Sequence, residues 1–312
     1  MKKISIIVPV YNEQVILKKS YEKIKENIDK IENYSFEIIF INDGSSDSSW
    51  LILEQIATED KDVKAINLSR NFGTQSAIMA GLRSSVGDAA VIIDADLQDP
   101  IEVLPDMISL WEEGNEVVYG KRKKRKGETI FKVLTAKIFY STLNSLSDID
   151  IPKDTGEFRL VDRKVIDEVN KLSEHNKFLR GLFTWVGFKQ VPYEYVREPR
   201  KGGKTKFTLK KMFKLASDGI FSFSIKPLEL IGKIGLLSVL LSFCMMVYFI
   251  ILYFLNPGSL VRGWTSLIVA ITFFAGVQLM SLWVIAEYIQ RIYEESKNRP
   301  NYIIKDKLNM DE

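Results

Sequence analysis

From Ile234 to Ala286 the chain carries one charged residue, Arg262, and the runs on either side of it, Ile234–Val261 and Gly263–Ala286, carry none. Helices of that composition are apolar on every face, which suits a bilayer better than a soluble surface. At 1.5 Å per residue each run reaches across a hydrocarbon layer of ~30 Å. Asn256-Pro257-Gly258-Ser259 interrupts the first run, so two spans are expected, 234–255 and 264–286, joined by a tight turn. A buried soluble hairpin is the alternative. Lys226 and Lys233 precede the first span, and Arg291, Lys297 and Arg299 follow the second. By the preference of basic residues for the inner face, both termini are expected in the cytosol, with the turn outside.

The rest of the chain must then fold on the cytosolic side. Met1-Lys2-Lys3-Ile4 runs straight into a strand pattern, without the apolar core and cleavage site of a signal peptide. A formal net charge of +3 gives no bulk reason to expect nucleic acid as a partner. One cysteine, Cys244, and one histidine, His175, exclude an internal disulfide framework and multi-cysteine or multi-histidine metal sites.

Short apolar runs alternate with helical patterns through the first 120 residues. Strands are expected over 4–10, 36–41, 63–68, 89–93 and 116–119, with helices after them, including 74–84 and 101–111. Asp47 suits the cap of the helix through Trp50, Leu53 and Ile56. Such alternation predicts a Rossmann-like α/β domain with a mostly parallel sheet and right-handed crossovers. No G-x-G-x-x-G follows the first strand, which argues against a dinucleotide dehydrogenase.

Polar residues collect at the expected strand ends, where open α/β sheets bind their ligands. They are Tyr11 and Glu13, then Asp43, then Asp94, Asp96 and Gln98. Two carboxylates one residue apart repel unless a cation or donor sits between them, and Mg2+ or Mn2+ accepts carboxylate and phosphate oxygens. The alternative is that Asp96 and Asp99 merely open the next helix ahead of Pro100. A carboxylate such as Asp43 can accept the ring N–H of uracil or guanine.

Farther on the pattern loosens. Lys121–Lys126 is six consecutive basic residues. It reads either as solvated surface or as a site for anionic headgroups or a lipid phosphate. An amphipathic helix over 130–146, a loop over 154–159 and a strand over 189–196 are expected next. The glycine-flexed basic loop Arg197–Phe207 suits phosphates. Leu209–Ile225 mixes apolar residues with lysines, as in a helix lying in the membrane interface or on the domain surface.

Five motifs occur in order: Val8-Pro9-Val10-Tyr11-Asn12-Glu13, Asn42-Asp43-Gly44-Ser45, Asp94-Ala95-Asp96-Leu97-Gln98, Asp154-Thr155-Gly156-Glu157-Phe158-Arg159 and Gly203-Lys204-Thr205-Lys206-Phe207. With the C-terminal hairpin, they resemble the polyprenyl-phosphate glycosyltransferases of glycosyltransferase family 2, a group that includes bactoprenol glucosyltransferases and dolichyl-phosphate mannose synthases. The resemblance implies a GT-A catalytic domain over 1–205, an amphipathic interfacial segment over 206–230, a transmembrane hairpin over 231–290 and a cytosolic tail over 291–312.

It implies inverting, metal-dependent hexosyl transfer from a nucleotide diphosphate sugar, with UDP favoured over GDP, to undecaprenyl phosphate at the cytosolic face of the cell membrane. Pro9, Tyr11, Glu13, Asp43, Asp94 and Ala95 would bind the nucleotide, and Asp94, Asp96 and Gln98 would hold Mg2+ or Mn2+. Asp96, Glu157, Arg200 and Lys206 would be catalytic, and Arg122 and Arg125 would meet the acceptor phosphate. Glu157 departs from the aspartate of many relatives by one methylene. Assembly into a homo-oligomer is also implied. A mannose synthase using GDP-mannose and a non-catalytic sugar-nucleotide sensor are the alternatives. Processive polysaccharide synthases are disfavoured, because the Gln-x-x-Arg-Trp motif is missing.

Overall fold

Alternating burial builds the sheet. In strand β1 (Lys2–Val10), Ile4, Ile6, Val8 and Val10 enter one apolar cluster while Ile7 enters another; in β2 (Tyr34–Asn42), Ile38 and Phe40 oppose Ile39 and Ile41 in the same way. Both faces are therefore covered, which is why these strands read as continuous apolar runs. The computed structural model describes residues 1–124, 152, 155–172, 174, 178–196, 224, 226–255 and 263–310.

The remaining strands are β3 (Val63–Leu68), β4 (Ala89–Ile92), β5 (Val117–Lys124), β6 (Thr155–Asp162), β7 (Gln190–Val196) and β8 (Ile304–Leu308). They form one 8-stranded sheet in the order β7-β5-β6-β4-β1-β2-β3-β8. Only β6 and β8 run against the rest. Helices α1 (Leu17–Ile28), α2 (Ser49–Glu59) and α4 (Leu104–Glu112) cover one face. The other is covered by α3 (Thr74–Ser84), α5 (Arg163–Lys171) and α6 (Leu179–Trp185). The result is a three-layer α/β sandwich with a mostly parallel sheet, the layout expected of a GT-A domain.

Topology sets the position of the site. The carboxyl ends of β1, β2, β3, β4, β5 and β7 lie on one edge, and β6, running the other way, brings its amino end there. The motifs around residues 11, 43, 96, 122 and 157 therefore meet at a single edge although they are far apart in sequence.

Several expectations need correction. Of the segment over 154–159, expected as a loop, residues 155–159 form the start of β6; their charged members hid a buried strand. Lys121–Lys124 does not follow β5 but forms its end. The helix expected over 101–111 is a 3-10 turn at Ile101–Val103 followed by α4.

The C-terminal segment expected as a tail instead contributes β8, which pairs antiparallel with β3 and places Asn67 opposite Asp306. Tyr302, Ile304 and Met310 pack against one core cluster and Leu308 against the other. The Asn309 amide donates to the carbonyls of Ala57 at 2.5 Å and Val63 at 2.8 Å, pinning the strand's end.

Two long helices precede β8: α7 (Lys226–Leu255) and α8 (Trp264–Ser296). Each extends beyond its apolar run, α7 at its start and α8 at its end. Among the described residues, Phe273–Ser296 is long and apolar enough to cross a membrane. Leu236, Leu237, Phe243 and Phe254 of α7 and Phe273, Leu279 and Trp283 of α8 are exposed. The helix expected over 130–146, the interfacial segment over 209–225 apart from Ser224, the basic loop over 197–207, Asp154 and the turn over 256–262 lie outside the described residues.

Candidate active site

The loops after β1 and β2 are tied to each other by short polar side chains. Asn12, with φ 51°, donates its backbone N–H to Ser45 Oγ at 2.9 Å, and its side-chain oxygen accepts the Ser46 N–H at 2.8 Å. The Glu13 N–H reaches Ser49 Oγ at 3.0 Å. Asp47, expected to cap α2, stands one residue before the N-cap, Ser48, and accepts the N–H groups of Ser49 at 3.0 Å and Gln14 at 3.2 Å. Gly44 sits at φ 61° against the backbone of Arg70 and Asn71, where any Cβ would collide. The chain needs glycine there for the turn and for the close approach. Tyr11 remains exposed on this platform, Glu13 is half-buried, and Pro9 lies in β1 opposite Ile41.

Asp43 has a structural task as well. Its two oxygens accept the backbone N–H groups of Phe72 at 2.7 Å and Gly73 at 3.0 Å, fixing the turn from β3 into α3. Burial pushes its carboxyl up to about 6, against the pull of those two bonds and of Arg70. Each carboxylate oxygen has a second acceptor position, so a base N–H can still be received.

The Asp94–Gln98 motif follows β4 directly. Ala95 is buried, Asp94, Asp96 and Gln98 are half-buried, and Leu97 takes φ 58° in a tight turn closed by the Gln98 N–H on Asp96 Oδ1 at 3.1 Å. Neither Asp96 nor Asp99 caps the following helical segment. Among the described residues no three His, Cys, Asp or Glu side chains converge. Two carboxylates, with the remaining positions left to diphosphate and water oxygens, match the usual way a protein holds Mg2+. The donor set therefore fits a divalent cation shared with a phosphorylated substrate.

A buried charged cluster occupies the same edge beyond β4. Period-2 alternation divides the basic run: Lys121 and Lys123 pair with Glu194 on the outside, while Arg122 turns inward. The Arg122 guanidinium lies so close to Gly156 that a Cβ there would approach its terminal nitrogen to 2.6 Å. Tyr195 donates its hydroxyl proton to Asp99 Oδ1 at 2.6 Å and accepts from Arg122, linking the loop after β4 to β5 through β7. Burial opposes the charge on Arg122, yet Tyr195 and Asp99 hold it firmly protonated. Its Nε is buried without a hydrogen-bond partner.

Glu157 anchors the other part of the cluster. Its Oε1 accepts Arg180 Nε at 2.8 Å and Gln75 Nε2 at 3.2 Å, and its Oε2 lies 4.0 Å from the Arg159 guanidinium. Burial works against its charge, but Arg180, Arg159 and Gln75 keep the carboxyl below its usual range. Arg159, lowered to about 10 by burial, stacks on Phe183 at 4.7 Å and donates to the Gly156 carbonyl at 3.0 Å. Glu157 is thus an ionised partner of guanidinium groups, not a carboxyl poised near neutrality to take a proton.

Pro9, Tyr11, Glu13, Asp43, Asp94, Ala95, Asp96, Gln98, Arg122 and Glu157 all lie on the carboxyl edge, whereas Arg125, Arg200 and Lys206 lie outside the described residues. Gln75, Arg180 and Tyr195 were not singled out from the sequence, and Asp99 was named there only as an opening residue of the next helix. Arg180 had no motif around it, and Tyr195 was visible only as one more aromatic in a strand.

Residues 5–169 match the family described as Glycosyl transferase family 2. An uncharacterized glycosyltransferase of Bacillus subtilis, YkcC, is 53% identical over 96% of this chain and 93% of its own length. The bactoprenol glucosyl transferase of Shigella phage SfV is 43% identical over 97% of this chain and 98% of its own. A prophage bactoprenol glucosyl transferase homolog of Escherichia coli is 41% identical over 97% and 98%. The carboxylate loop, the cross-tied turns and the buried arginines thus stand in a chain that belongs to glycosyl transferase family 2 and is a glycosyltransferase.

Proposed function

We propose that this glycosyltransferase transfers a hexosyl group, with inversion, from a nucleotide diphosphate sugar to undecaprenyl phosphate at the cytosolic face of the cell membrane. UDP-glucose or UDP-N-acetylglucosamine is the favoured donor. The observation that carries this reading is that two unlike sets of residues share one sheet edge. A carboxylate pair suited to a cation and diphosphate adjoins a set of buried guanidinium groups suited to a second anion. Similarity to bactoprenol glucosyl transferases supports a polyprenyl phosphate as that anion.

In this reading Tyr11, Glu13 and Asp43 bind the nucleoside, with Pro9 and Ala95 shaping the floor. Asp94, Asp96 and Gln98 would hold Mg2+ or Mn2+, which when bound stabilises charge on the departing diphosphate. Arg122 binds the acceptor phosphate, and Arg125, Arg200 and Lys206 are assigned to the acceptor and diphosphate oxygens. A phosphate monoester has a second pKa near ~6, so the acceptor is already an anion at cytosolic pH. No strong base is needed, in keeping with a Glu157 that is committed to arginines. Rate then comes from alignment of the acceptor oxygen with the anomeric carbon and from charge stabilisation.

The exposed apolar residues of α7 and α8 support two membrane spans, over 234–255 and 264–286, and the basic residues that flank them support cytosolic termini. Membranes containing the protein, incubated with undecaprenyl phosphate and labelled UDP- and GDP-sugars, are expected to yield a lipid-linked sugar from a UDP donor. Nucleotide-sugar binding with no lipid product from any donor would make the protein a sensor and defeat the proposal. Product from GDP-mannose alone would make it a mannose synthase.

A further inference from the structure

A row of hydrogen bonds leads from the C-terminal strand to the loop of Asn42-Asp43-Gly44-Ser45. Asp306 Oδ2 accepts from Asn67 Nδ2 at 2.8 Å, and Asn67 Oδ1 accepts from Asn42 Nδ2 at 2.8 Å. Asn42 Oδ1 then receives the Ser45 N–H at 3.3 Å, and Ser45 Oγ receives the Asn12 N–H at 2.9 Å. Asn42 and Asn67 are buried, at 2% and 6% exposure, whereas Asp306 meets solvent.

The direction of this row is fixed at one end. An amide presents a donor on one side and an acceptor on the other, and either orientation has the same shape. A carboxylate only accepts. Asn67 must therefore show its NH2 to Asp306 and its oxygen to Asn42. Asn42 must in turn give its NH2 to Asn67 and keep its oxygen for the Ser45 N–H. Reversal of either amide would set oxygen against oxygen at one contact and N–H against N–H at another. An unpaired buried polar group of that kind carries a real cost.

We propose that Asp306 is a positioning residue for sugar-nucleotide binding. By fixing the polarity of the Asn67–Asn42 row, it holds the Ser45 turn, and through it the Asn12 loop beside Tyr11 and Glu13, in the binding arrangement. This rests on the assignment of those loops to the nucleotide, and it adds a strand that lies beyond the hairpin in sequence. Residues that touch no substrate thereby set the fit of the donor.

Three variants test it in the full-length protein in membranes or detergent: Asp306→Ala, Asp306→Lys and Asp306→Asn. Because Asp306 faces solvent and β8 is held by backbone pairing, its replacement leaves no buried charge behind. Asp306→Ala removes the acceptor, and Asp306→Lys offers only donors and favours the reversed row. Both are expected to raise the donor KM, the lysine variant by about tenfold, the effect of one buried hydrogen bond. The kcat is expected to stay within about twofold, since the reacting groups are untouched. Asp306→Asn keeps an acceptor oxygen and is expected to remain near the wild type, as is the exposed neighbour variant Lys305→Ala.

Hydrogen exchange of the 42–46 backbone should quicken in the alanine and lysine variants while thermal unfolding stays close to that of the wild type. A wild-type donor KM in both variants overturns the proposal, as does an equal fall in kcat and donor affinity in all three. Calorimetry with UDP and GDP on the wild type separates the two assumptions. Binding of neither nucleotide removes the donor assignment itself, and exchange at 42–46 that ignores Asp306 removes the hydrogen-bonded row.

Discussion

The two halves of the sheet reach the same edge by opposite chemistry. Over β1, β2, β3 and β4 the loops are held mainly by short neutral side chains and backbone groups, Asn12, Ser45, Ser49, Asn42 and Asn67, with the carboxylates of Asp43 and Asp47 each accepting two backbone N–H groups. Over β5, β6 and β7 the same job falls to buried charges: Arg122, Glu157, Arg159 and Arg180 around Tyr195 and Asp99. In the reading proposed above, a base and ribose, with their fixed donors and acceptors, would be matched by an equally fixed surface of short polar side chains. A second anion needs charge kept in place before it arrives, and guanidinium groups provide it with little loss of hydration. The first half is rigid because its hydrogen bonds are satisfied. The second is organised because its charges partly offset one another.

Substitutions on either side should separate these two kinds of order. The largest effect is expected at the border between the halves, where Asp96→Ala should lower transfer by on the order of 10^3-fold, with chelator doing the same to the wild type. Full activity in chelator would remove the cation from the scheme. Next, Glu157→Ala leaves Arg159 and Arg180 buried without their partner. Thermal or denaturant unfolding should register a loss of about 3–5 kcal/mol, the usual result of breaking a buried ion pair from one side. Ser45→Ala, in the neutral half, should cost roughly 1 kcal/mol by the same measurement. Comparable losses at the two sites would dissolve the contrast.

Asp43 makes a prediction in pH. Its folded value of about 6 lies above the ordinary 3.8, so between those values the folded protein binds more protons than the unfolded chain. Its contribution to stability is therefore lost as pH rises through that window. Acceptance of a base N–H needs the ionised form, so nucleotide affinity should move the other way and fall about tenfold from pH 7 to pH 5. Asp43→Asn should flatten that pH profile; an unchanged slope would place the titrating group elsewhere. The smallest effect is expected from Tyr195→Phe, which removes the hydroxyl shared by Asp99 and Arg122. Acceptor KM should rise by roughly threefold to fivefold, while donor KM stays put. A shift confined to donor KM would reverse the assignment of the halves.

The same contrast explains what could be read from the sequence. The neutral half is built from apolar runs that end in turn-forming residues, so β3 and α3 fall on their expected spans of 63–68 and 74–84. The charged half hides its strands. In Thr155-Gly156-Glu157-Phe158-Arg159-Leu160-Val161-Asp162 the charged Glu157 and Arg159 are buried along with the apolar residues, and no local pattern says that Glu157 will find Arg180. Arg122 was visible as one of six basic residues, but its inward turn depends on the strand that contains it. In β8, Ile304 and Leu308 flank Lys305, Asp306 and Lys307, a signal too short and too charged to stand out without its partner β3.

That last strand also sets an order of events during synthesis. The edge of β3 is closed by residues that leave the ribosome only after both long helices, and chain elongation proceeds at ~5–20 residues per second. For several seconds the nearly complete sheet presents β3 as an open edge, the kind that invites pairing with another chain. Formation of the two long helices and closure of the sheet are thus coupled in time. A chain ending near Ile225 would retain every residue of the catalytic edge described above, yet it would carry that open edge permanently.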